Sequence, residues 1–240
     1  MKTTLYRASS RGHAYHGWLD TYHTFSFANY YNPERINFGA LRVVNDDIVE
    51  AGEGFGTHPH DNMEIVSIPI YGDLEHKDSM GHTEVIRPGE VQVMSAGSGI
   101  THSEYNSSDS NPLNFFQIWV FPEKRNVTPR YDQRAFDFIN NKNQLVQIVG
   151  PKDDADNKGM WIHQNAWFSL GTFDKGEEID YKVKKQGNGV FAMVVEGEFT
   201  VGDQKLHHRD AIGVSDIDEL KITTDSDNAR ILLIDVPMVL

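Results

Sequence analysis

His58-Pro59-His60 and His102-Ser103-Glu104 are two pairs of metal-type donors, each pair with one residue between its members. In an extended strand, residues i and i+2 project from one face about 6.5 to 7 Å apart, so each pair can aim two donor atoms at a shared point. Two such strands facing each other make a cup of three imidazoles and one carboxylate. That donor set suits Fe, Mn, Ni, Cu or Zn, and no thiolate competes because the chain has no cysteine. Coordination number then decides the chemistry. An octahedral ion on these ligands keeps two neighbouring positions for water, substrate or dioxygen, whereas a closed tetrahedral zinc keeps none.

An exposed H-x-H pair arises readily by chance, so the weight rests on the second pair and on the turn-rich interval between them. Glu64 follows His60 by four residues and on strand parity shares its face. It competes with Glu104 as the carboxylate ligand, or orients an imidazole by hydrogen bonding. His76 and His82 have charged neighbours, which predicts solvent exposure or a loop hydrogen bond for both. His13, His16 and His23 stand among Tyr15, Trp18, Tyr22, Phe25 and Phe27, an aromatic segment that reads as packing over the fold. His163, His207 and His208 fall in the half without a paired motif and are assigned structural or surface roles.

The elements that must position the cup read as β-strands. Short apolar or alternating runs at 38–44, 64–70, 91–94 and 115–120 are separated by turns at Tyr71-Gly72-Asp73 and Pro88-Gly89-Glu90, the rhythm of an all-β sandwich or barrel. The best helical candidate is 132–139, after the polar stretch 122–129, which reads as a linker. The rhythm returns at 144–149, 167–170, 190–195, 199–201, 220–223 and 231–236, with Glu196-Gly197-Glu198 as a hairpin turn and 151–159 as a solvated loop. The second half thus repeats the architecture without an H-x-H pair. The expected division is a metal-binding unit over 1–130 and a unit without metal over 131–240.

A chain of 240 residues can bury a core without help from metal or disulfide, so a bound ion reads as functional. A net charge of −13 argues against gripping a phosphate backbone, which excludes direct nucleic-acid binding. The first residues are polar and no run of about 18 apolar residues occurs, which predicts a cytoplasmic protein without a membrane role.

The residues Gly39-Ala40-Leu41-Arg42-Val43-Val44, Gly54-Phe55-Gly56-Thr57-His58-Pro59-His60-Asp61-Asn62-Met63-Glu64, His76-Lys77-Asp78-Ser79 and Gln92-Val93-Met94-Ser95-Ala96-Gly97-Ser98-Gly99-Ile100-Thr101-His102-Ser103-Glu104 together resemble the pirin family of bicupins. His16-Gly17-Trp18-Leu19 and His23-Thr24-Phe25-Ser26-Phe27 also fit its pattern. The resemblance implies two tandem cupin jelly rolls. It also implies one divalent transition metal, Fe(II) first and Zn, Mn, Ni, Cu or Co as the other candidates, on His58, His60, His102 and Glu104. Glu64 is then left to hydrogen-bond a ligand, and the second cupin has lost its ligands. Some members resemble flavonol 2,3-dioxygenases, which open quercetin with dioxygen and release carbon monoxide. The partners implied are a flavonol, or another enolisable or catechol-like compound, and O2. Glu104 is the catalytic candidate, either staying a ligand or swinging free to take the substrate's proton. Phe55, Met63, Met94 and Phe116 are candidates to exclude water, or ordinary core. The same resemblance carries a second class, a redox-responsive metal protein that binds a regulatory partner, for which the sequence holds no partner motif.

Overall fold

The computed structural model describes residues 1–239 as two jelly-roll cupin units, each with a seven-stranded sheet facing a four-stranded one. In the first unit the large sheet runs Arg130–Ala135, Glu90–Ser95, Glu64–Tyr71, Leu113–Val120, Leu41–Val49, Leu19–His23, Gly12–Tyr15. Its small sheet runs Gly54–His60, Ile100–Asn106, Leu74–Asp78, Thr83–Ile86. Neighbouring strands in both are antiparallel, so one face of each can be apolar and the other can line a cage. Among the described residues there is no α-helix, and no helix is long and apolar enough to cross a membrane.

The helix expected over 132–139 is instead the strand Arg130–Ala135, paired with Glu90–Ser95 from Arg130↔Ser95 to Ala135↔Glu90. Tertiary context overrides local preference here. The strand completes an otherwise open sheet edge, and Tyr131 lies flat against His76 with ring centroids 4.7 Å apart. At the other end of the chain, Lys2–Tyr6 pairs with Ala211–Ser215 in the large sheet of the second half.

The outer faces of the two large sheets pack on each other through one buried cluster. Val66, Phe116 and Ile118 supply it from the first unit, and Phe168, Phe191 and Leu232 from the second. Phe116 therefore faces the junction between units, away from the cup. Inside the second unit the space corresponding to the cup is filled by Ile179, Val190, Phe199, Leu220 and Ile222. One polar group there is Tyr181, whose hydroxyl donates to Asp235 Oδ2 at 3.1 Å.

Candidate metal centre

Two neighbouring strands of the small sheet bring the first pair of donors to the second. Gly54–His60 and Ile100–Asn106 are antiparallel, with His102 opposite His58 and Ile100 opposite His60. Between His102/Glu104 on one strand and His58/Phe55 on the other the register shifts by one residue. This bulge lets Phe55 and His58, three apart in sequence, both face the cage, and it frees the Gly56 carbonyl. The His58 Nδ1–H donates to that carbonyl at 2.8 Å, so the lone pair of His58 lies on Nε2.

The imidazoles of His58, His60 and His102 offer ligand atoms that all lie within 4.8 Å of one another. Their ring centroids are 4.4 to 4.9 Å apart. Nε2 of His60 and Nε2 of His102 are buried with no hydrogen-bond partner. Leaving such atoms unpaired costs about 1 to 3 kcal/mol each, so the fold maintains a deficit that a cation accepting two lone pairs would remove. Burial first, then the charge of neighbouring imidazoles, holds both His60 and His102 down at about 3. They are therefore neutral donors throughout the physiological range, as ligation requires. The donor set and the two orphaned nitrogens fit a divalent transition ion.

Glu104 lies deeper. It is 1 % exposed, and its Oε2 stands 4.0 Å from His102 Nε2, outside the tight group of three imidazoles. Gln117 Nε2–H donates to Oε2 at 2.6 Å and Ser67 Oγ–H to Oε1 at 3.4 Å. Trp119 Nε1–H in turn donates to Gln117 Oε1 at 3.1 Å, which fixes the amide so that its N–H faces the carboxylate. Burial pushes the Glu104 carboxyl above its ordinary range. A nearby cation would reverse that balance in favour of the ionised form.

Glu64 has moved out of contention. Ser67, three residues on in the same strand, faces Glu104, so Glu64 faces the opposite side of the sheet. The turn at Asp61-Asn62-Met63 breaks the parity that would tie Glu64 to His60. It accepts from Ser95 Oγ–H at 2.6 Å, near the Arg130 guanidinium and the His163 backbone, and burial pushes it up to about 7.

Four further residues with a bearing on the site escaped the sequence reading. His76 is fully buried rather than exposed, with Asp78 beside it on the same strand. The signal was the alternation Leu74, His76, Asp78, masked by the charges of Glu75 and Lys77. Gln117 and Ser67 sit within strands that read as apolar core. Asp47 is likewise inside the cage wall, accepting from Thr21 Oγ1–H and pushed by burial to about 7.

His60 also lines an open cleft of about 730 Å³, together with Asp61, Met63, Ile100, Thr101 and Trp119. Met63 and Trp119 pack on the buried cluster of Ile65, Met94 and Ile100, so this wall of the cleft is apolar. Trp119 meets the His60 ring edge-on at 4.9 Å.

Comparison with known proteins places this geometry among relatives. Residues 4–120 match the family model described as Pirin, and residues 147–236 the one described as Quercetinase C-terminal cupin domain. Quercetin 2,3-dioxygenase from Escherichia coli (strain K12) is 46% identical over 235 residues, covering 98% of this chain and 99% of that protein. A putative quercetin 2,3-dioxygenase from Pseudomonas aeruginosa is 38% identical over 94% of this chain and 95% of its own. The crystal structure of the bacterial pirin YhhW from Escherichia coli in complex with nickel(II) superimposes with a TM-score of 0.93 at 42% identity, covering 99% of this chain and 100% of that one.

Proposed function

The chain belongs to the pirin family, and from that premise we propose that it is a metal-dependent flavonol 2,3-dioxygenase whose ion, Fe(II) in the cell, is held by His58, His60, His102 and Glu104. One observation carries the reading. Three imidazoles with inward lone pairs meet beside a buried, hydrogen-bonded carboxylate, and one of them, His60, also lines a cleft large enough for a planar aromatic substrate. The similarity to quercetin 2,3-dioxygenases supports the substrate class, and the nickel(II) complex of YhhW supports the presence of an ion.

The ion, when bound, supplies Lewis acidity for an enolic oxygen and a partner for dioxygen. The protein supplies the rest. Glu104, ionised once a cation lies beside it, accepts the proton of the flavonol 3-hydroxyl. Gln117 keeps the receiving oxygen in place while the proton moves. Met63, Ile100 and Trp119 hold the flat ring system and keep water from the reacting carbon. The second unit, lacking a comparable set of donors, serves as a brace for the first.

The test is oxygen consumption and carbon monoxide release with quercetin by protein loaded with Fe(II), Ni(II) or Mn(II) in turn. Turnover is expected to vanish in both His58→Ala and Glu104→Ala. Equal turnover by metal-free protein would overturn the assignment. Metal content without turnover on any of the three ions would move the protein to the redox-responsive binding class.

A further inference from the structure

The Leu74–Asp78 strand carries an imidazole and a carboxylate into the cage wall that the proposed reaction leaves idle. The His76 and Asp78 side chains are both 0% exposed. His76 Nε2 lies 3.1 Å from Asp78 Oδ2, and its other nitrogen, Nδ1, lies 3.5 Å from Nδ1 of His102. Asp78 is itself anchored. Its Oδ1 accepts from the backbone N–H of Met80 at 2.9 Å and of His82 at 3.1 Å, and Oδ2 accepts from His82 Nδ1 at 2.9 Å. Tyr131 stacks on His76 and His82 at 4.7 and 4.8 Å, which closes the relay from above.

These contacts dictate where protons sit. A carboxylate only accepts, so the His76 proton facing Asp78 is on Nε2 and the lone pair of that ring is on Nδ1. Gln92 Nε2–H also donates towards this Nδ1, at 3.2 Å. With His76 neutral, the 3.5 Å contact between the two Nδ1 atoms is a hydrogen bond only when His102 carries its proton on Nδ1. Its lone pair is then on Nε2, the atom buried without a partner and facing His58 and His60.

We propose that Asp78 and His76 form a two-step relay that fixes the tautomer and ring angle of His102, so that Nε2 of His102 is presented as a donor before any ion arrives. Both are positioning residues, since neither belongs to the group of three converging imidazoles. The consequence for affinity rests on the metal-centre reading above, but the tautomer does not. Outer partners of this kind are worth about 10- to 100-fold in metal affinity.

Asp78→Asn gives a directional test. The backbone donors of Met80 and His82 hold the amide oxygen at the Oδ1 position, which turns the amide N–H towards His76 Nε2. His76 must then move its proton to Nδ1, where Gln92 Oε1, at present buried without a partner, can accept it once the Gln92 amide turns over and exchanges Nε2 for Oε1 at that position. His102 loses its acceptor and shifts its proton to Nε2. Long-range 1H–15N correlation spectra of metal-free protein should show His102 protonated on Nδ1 in the wild type and on Nε2 in Asp78→Asn. Nickel(II) affinity should fall about 10- to 100-fold in Asp78→Asn and in His76→Leu. His76→Asn, which keeps an acceptor near the Nδ1 position, should stay close to wild type. Thermal midpoints of the metal-free variants separate this from loss of folding, because a purely structural role lowers the midpoint without changing the ring-nitrogen signature. A wild-type His102 protonated on Nε2, or an unchanged tautomer in Asp78→Asn, overturns the relay. A wild type that shows the stated tautomers yet takes up no nickel(II) leaves the relay standing and removes the metal-centre reading instead.

Discussion

Gln117 makes the shortest hydrogen bond to Glu104, and its geometry explains how a carboxylate can be kept beside three imidazoles without folding onto them. Trp119 takes the amide oxygen, Gln117 offers the N–H, and Glu104 receives it. Gln117→Leu is expected to remove that donor while keeping the bulk, raising the proton affinity of an already buried carboxyl. Turnover should fall about 10- to 100-fold, with the thermal midpoint lowered by about 2 to 4 °C per kcal/mol of lost pairing, measured by oxygen uptake and by melting in parallel. At this scale the donor pairs were legible because an i, i+2 spacing states a geometry on its own. Gln117, Ser67 and His76 were not, because a polar residue on a buried face matters only through what stands opposite it.

The cup depends on how the strand Gly54–His60 meets its neighbour. The register shift between His102 and Glu104 turns both Phe55 and His58 inward, and a side chain at Gly54 would collide with the pairing strand, its Cβ falling 2.3 Å from the Glu104 carbonyl oxygen. Gly54→Val should therefore push the strands apart beside the bulge. The expected loss is about 1 to 3 kcal/mol in urea unfolding, with weaker nickel(II) uptake by calorimetry. Strand rhythm located ten of the strands from sequence, but the two strands of the cup, poor in apolar residues, were inferred from donor spacing alone. The segment after 130 was misread as helical because its strand character comes from completing an open sheet edge, which local periodicity does not record. Glu64 was misplaced for a related reason: parity holds within a strand and is lost across the turn at 61–63.

In the whole molecule, the two units are tied by exchanged strands and by a shared apolar junction. Lys2–Tyr6 completes the sheet of the second half, and Tyr6 packs on Phe25 at 5.5 Å and on Phe191 at 5.6 Å. Tyr6→Ala should cost about 3 to 5 kcal/mol. It should lower the urea midpoint of a single transition seen alike by Trp119 and Trp167 fluorescence; two separate transitions would show that the units unfold independently. Glu64 lies at the same junction, with an unfolded value of 4.5 raised by burial to about 7. A raised carboxyl contributes stability in full below about pH 4.5 and loses it as pH climbs through about 7, a difference of roughly 3 kcal/mol. Glu64→Gln keeps the acceptor for Ser95 and should flatten that decline, read from urea midpoints between pH 4 and 8. An identical slope in the variant would assign the pH dependence to other groups.

Sequence alone determined the class of fold, the three imidazoles and the family, because side-chain alternation, glycine turns and donor spacing are local properties written along one strand at a time. Only the tertiary structure decided which carboxyl faces the cage, which unit each chain end joins, and which buried amides and imidazoles surround the candidate donors. Those outcomes depend on which strands meet, which no local pattern records: His76 meets His102 on a neighbouring strand 26 residues on, and Gln117 meets Glu104, 13 residues before it, across two facing sheets.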